Sequence, residues 1–194
     1  MVTFFIVFFI ILSIIAIIVD LITVRVKGKE NEDTARYWKK KLKKHGVVFS
    51  SKIEFSSSTN SWQYVVIADE VHQELHILRI DDIDVDRECI SFYDIIGTDV
   101  RIRNKHDVSV SRAIIGSILA GETGALIGSM SGSEKITEYD IVIFVRNIKK
   151  PRIILSLIDS SIKVDSPEME EVLDFTNEIN SLINAIVANS RYTY

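Results

Sequence analysis

At 194 residues the chain has room for one membrane span and one domain, not for two full-sized domains. Its 47% apolar and 26% charged residues are ordinary for a globular protein, but the net charge of −4 hides a split: residues 25–44 carry +6 and residues 45–194 carry −9. That excludes a simple soluble enzyme and a basic nucleic-acid binder, and the single cysteine, Cys89, excludes an internal disulfide framework and fits a reducing compartment.

The first element is the run from Val2 to Val19, whose only polar side chains are Thr3 and Ser13. As a helix its 18 residues rise about 27 Å, and continuing through Val24 gives about 34 Å, enough for a hydrocarbon core of roughly 30 Å. No face of it is polar, which argues against a buried soluble helix. A cleaved signal peptide would have a basic start, a shorter apolar core and a small-residue cleavage site, whereas Asp20-Leu21-Ile22-Thr23-Val24 follows here. Residues 1–24 are therefore read as an uncleaved transmembrane helix. Lys and Arg collect on the side of Arg25, so the N-terminus is expected outside and the rest of the chain in the cytoplasm.

Residues 25–45 form a basic juxtamembrane helix or linker. Within it KENEDTARYWKKKLKKH, at 29–45, reads as a polar helix begun by Asp33 or Thr34 and ended by Gly46. Tyr37 and Trp38 beside Lys39, Lys40, Lys41, Lys43 and Lys44 suit contact with anionic headgroups. The alternative is a solvated linker whose charges only set topology. No nucleic-acid partner is expected, because the acidic domain that follows repels phosphate.

Residues 46–190 form the domain. Val47–Phe55, Ser61–Ala68, Leu75–Ile80, Ile90–Ile96, Val100–Arg103, Ile136–Arg146 and Arg152–Ile158 are rich in β-branched and aromatic residues and predict strands. Ser56 to Asn60 and Asp81 to Arg87 separate the early ones, and Lys149-Lys150-Pro151 turns the last two into a hairpin. Apolar residues on both faces of that hairpin predict a central pair. Then the period changes. Ser166 and Pro167 start a helix, acidic residues occupy its first turn, and Met169, Val172, Leu173, Thr176, Ile179, Leu182, Ile183, Ile186 and Val187 recur at three- and four-residue steps. This amphipathic helix of about six turns should close an open end of the sheet.

About seven antiparallel strands followed by one C-terminal helix is the plan of a pleckstrin-homology-like, mostly-β barrel. The stretches Val66-Ile67-Ala68-Asp69, Glu74-Leu75-His76-Ile77 and Ile90-Ser91-Phe92-Tyr93-Asp94-Ile95-Ile96 resemble those of bacterial single-pass membrane-anchored proteins with a PH-like domain, and the Ile141–Ile158 hairpin fits the same plan. A glycine-rich insert of the kind found in those proteins lies at 111–132, where Gly116, Ala120, Gly124, Gly128 and Gly132 fall at four-residue steps among large aliphatics. In a helix such steps make a groove that another backbone can approach closely. Three readings stand: a hairpin that enters the membrane or packs on the transmembrane helix, a contact between copies giving a homo-oligomer, or a flexible cover for part of the barrel. Glu122 argues against a full span, and the absence of Lys-Ser/Thr after the glycines excludes a phosphate loop.

Catalytic chemistry is not legible. His72, Glu74 and His76 would share one face of a strand, which admits weak metal binding, but a polar outer face of a half-exposed strand is the preferred reading. His72-Gln73-Glu74-Leu75-His76 is not a zinc-protease motif, since Glu does not follow the first His. Asp81, Asp82, Asp84 and Asp86 lack the glycine and distal Glu of a calcium loop. Cys89 has no recognisable base. The expectation is a membrane-anchored, cytoplasmic, non-enzymatic PH-like binding or scaffolding module with no cofactor and no metal. Its partners would be an anionic bilayer and either a membrane protein or a second copy. The alternative is an immunity or exclusion protein guarding against a membrane-active bacteriocin or phage, an analogy from size and topology.

Overall fold

The computed structural model describes residues 32–56, 62–81, 84–104, 110–114 and 134–190. The predicted span at 1–24 lies outside them. Among the described residues no helix is long and apolar enough to cross a membrane.

Helix α1 occupies 32–44. Four strands follow, β1 (Ser51–Ser56), β2 (Gln63–Asp69), β3 (Glu74–Ile80) and β4 (Val85–Ser91), paired antiparallel in that order. A single 3-10 turn, Phe92–Asp94, carries the chain into a second sheet. That sheet contains β5 (Ile95–Asn104), β6 (Val110–Ile114), β7 (Lys135–Val145) and β8 (Arg152–Ile158) in the order β6-β5-β7-β8, with β9 (Ile162–Lys163) paired to β7. Helix α2 (Pro167–Ser190) closes the described fold.

Two apolar clusters hold these layers. The larger joins the inner faces of both sheets to α2: Tyr64, Val66 and Ala68 of β2, Leu75 and Ile77 of β3, Ile141 and Ile143 of β7, and Met169, Val172, Phe175, Ile179 and Ile183 of α2. Helix α2 contacts β1 and β5, one strand from each sheet, so it plugs the opening between them. Thr98 of β5 donates a 2.8 Å hydrogen bond to Asn180, fixing the helix where both groups are buried. The smaller cluster lies on the other face of the first sheet, where Val65, Ile67, Leu78 and Ile80 meet Ala35 and Leu42 of α1. This explains why β2 is buried at every position.

The mostly-β architecture and the C-terminal helix match expectation, while several boundaries move. The predicted Val47–Phe55 strand begins only at Ser51. Val48 N–H is instead taken by the Asp69 carboxylate, 2.8 Å away, and Val47 and Phe49 pack under α1. The predicted Ile90–Ile96 strand is broken by the 3-10 turn, since Phe92 must bury where the chain changes sheet. Val100–Arg103 is the middle of a ten-residue strand, and β6 occupies the start of the predicted insert. Of the predicted central pair only β7 is central. Strand β8 is an edge whose exposed and buried residues alternate through its first half.

Candidate functional site

Helix α1 is two-sided. Ala35, Trp38 and Leu42 follow three- and four-residue steps and face the first sheet, with Ala35 and Leu42 at 1% exposure and Trp38 partly buried against the same cluster. Arg36, Tyr37, Lys40, Lys43 and Lys44 are exposed. Asp33 and Thr34 lie inside the helix rather than capping it. Gly46 ends it as expected, at φ +89°, with Val47 N–H returning to Leu42 C=O at 3.1 Å, a closure that favours glycine because the left-handed backbone strains any L side chain.

Beside α1 runs a groove of ≈ 730 Å³ walled by Asp33, Arg36, Tyr37, Lys39, Lys40 and Lys43 on the helix, with Asp33 paired to Arg36 at 3.5 Å, and by Phe49 and Lys52 below it. Its field is cationic but partly balanced. Lys39 and Lys52 reach Glu54 at 2.6 and 3.0 Å. Partial burial would raise the Glu54 carboxyl, yet the two lysines outweigh it and hold that carboxyl below its ordinary value. Lys43 lies over the Phe49 ring at 5.0 Å and Lys41 over Trp38 at 4.1 Å. Among the described residues Lys40 and Lys44 have no ion-pair partner. Of the seven residues expected at headgroups, then, Tyr37, Lys40, Lys43 and Lys44 share the outer face. Lys39 is tied to Glu54, while Trp38 turns to the sheet with Lys41 stacked on it. Phe49 and Lys52 were not foreseen, because a separate element brings them to the groove.

The far end of the same sheet face is polar. Asp69 is fully buried, and its carboxylate accepts from Val48 N–H (2.8 Å), Val71 N–H (3.1 Å), His72 N–H (3.0 Å) and the His72 ring at Nδ1 (2.7 Å). Burial pushes its pKa up, but these donors prevail and leave it below the ordinary value. The expected single face of His72, Glu74 and His76 is not formed, since His72 sits in the turn before β3. Nor is His76 on a half-exposed strand. It is entirely buried, because the layer of α1 and its flanks covers this side of the sheet.

Gly116, Ala120, Gly124, Gly128 and Gly132 lie outside the described residues. The strands on either side of them do not. Ile114, at the end of β6, pairs with Thr98, and Ile136, at the start of β7, pairs with Asn104. The insert thus leaves and rejoins the sheet at opposite ends of β5. A family model for a glycine zipper containing PH domain matches residues 51–159, more than half of the chain. The chain belongs to this family. No curated protein and no solved structure matches it. In this glycine-zipper PH domain the matched residues run from β1 through β8 and enclose the spaced glycines, with α1 before them and β9 and the whole of α2 after them. The basic face of α1 lies outside the matched residues.

Proposed function

We propose that the chain is a single-pass membrane protein of bacterial type, with residues 1–24 as anchor and a cytoplasmic PH-like domain that binds or scaffolds a membrane partner without catalysis. The observation that carries this reading is the placement of α1. It comes after the apolar run in the chain, packs its apolar stripe on the sheet, and turns Lys40, Lys43 and Lys44 outward, while exposed Arg36 pairs with Asp33. A domain tethered at 1–24 then meets the anionic leaflet with these cations, each contributing about 1 kcal/mol. Confinement to the membrane plane raises the domain's effective concentration for a partner in the same plane. The insert, with Gly116, Ala120, Gly124, Gly128 and Gly132, is the contact surface of this proposal, consistent with the glycine zipper that marks the family.

Fractionation and a C-terminal reporter test it. The intact chain is expected in the membrane pellet after an alkaline carbonate wash, with the reporter active only inside the cell. Recovery in the supernatant, or a reporter active outside, overturns the proposal.

A further inference from the structure

His76 and Cys89 are directly opposed across the β3–β4 pair, and Glu74 lies two residues before His76 on the same sheet face. One ligand atom from each of the three lies within 4.8 Å of both others. We propose that Glu74, His76 and Cys89 hold one thiophilic divalent cation, with Zn²⁺ as the best fit, at the β4 edge of the first sheet.

A second feature points to an ion. The His76 side chain is only 1% exposed and its Nε2 makes no hydrogen bond, while Glu74 Oε2 stands 3.5 Å away. A buried ring nitrogen left without a partner is destabilising, and a metal ion would satisfy it. Tetrahedral zinc with bonds of about 2.0 Å to nitrogen and oxygen and 2.3 Å to sulfur holds its ligands roughly 3.3–3.6 Å apart. The His76–Glu74 separation already meets that, and closing the rest asks for movement of Glu74 and Cys89, both of which reach the surface. Thiolate with imidazole and carboxylate favours Zn²⁺ over Mg²⁺ or Ca²⁺. Three protein ligands leave a fourth position for water or a partner's side chain.

Binding displaces two groups. The Cys89 thiol loses its proton to solvent. The Arg87 guanidinium lies 3.3 Å from His76 Nδ1 and can only donate there, which leaves the neutral ring's proton on Nε2. Coordination through Nε2 moves that proton to Nδ1, and exposed Arg87 swings away.

The test titrates the full chain in mild detergent, kept reduced by a phosphine, with Co²⁺ alone and then Zn²⁺. Wild type is expected to take up one ion per chain with a thiolate-to-cobalt charge-transfer band that Zn²⁺ bleaches. Cys89→Ser should lose the band, and Glu74→Gln should weaken uptake by at least about tenfold, because even outer-shell changes cost that much. Both positions are solvent-accessible, so unchanged melting of the two metal-free variants shows that the domain is folded. Absence of a saturable band in wild type, or uptake by Cys89→Ser equal to wild type, overturns the proposal.

Discussion

At Asp69 four hydrogen bonds converge on one buried carboxylate, one of them from Val48, 21 residues away. Asp69→Ala would leave three backbone N–H groups without that acceptor, and should cost about 3 kcal/mol in urea unfolding. The pH dependence follows from the lowered pKa. The carboxylate's share of stability is complete above the unfolded value of about 3.9 and is lost as pH falls through the folded value, so Asp69→Asn should flatten the acid limb of the stability curve. In the sequence Asp69 reads as the end of a strand. Neither the turn that follows it, where the sequence suggested a strand through His72, nor the bond from Val48 is legible, since both depend on segments meeting in space.

Among the elements, α2 was the most legible. Its stripe has a single period, and every residue of the predicted stripe is buried or partly buried against the main core. Phe175 and Asn180 escaped notice because each answers to one particular neighbour: Phe175 packs at 4.9 Å on Phe55, and Asn180 accepts from Thr98. Helix α1 was legible as a basic helix and not as a cover for the sheet, because three inward residues among many cations make a faint stripe. Leu42→Ala should remove about 3 kcal/mol by opening a cavity beneath α1, read by chemical denaturation. The outer face should behave oppositely. Replacing Lys40, Lys43 and Lys44 together by Gln should leave melting unchanged and cut association with anionic vesicles on the order of 100-fold, about 1 kcal/mol per charge. Equal association of the triple variant would remove α1 from the membrane contact.

For the molecule as a whole, the strands on either side of the insert are paired within the second sheet. Ile114 and Ile136 are held in the sheet by their pairings with Thr98 and Asn104. Replacing Gly116, Gly124 and Gly128 by Leu should therefore abolish crosslinking to a neighbour or partitioning of the insert into lipid, while melting stays as in wild type. If both are unchanged, the insert has no part in the contact.

What the residues determined alone is whatever depends on local order along the chain: the apolar opening run, the basic block behind it, the strand-forming stretches, the glycine spacing and the C-terminal stripe. Each is a periodicity or a composition, and periodicity is local physics. The tertiary structure decided which faces meet. It divided the strands between two sheets at a 3-10 turn, set β8 at an edge and β7 inside, laid α1 over the outer face of the first sheet, and set Cys89 opposite His76. Those outcomes rest on pairings between residues far apart in sequence, whose energies appear only once the backbone has brought them together.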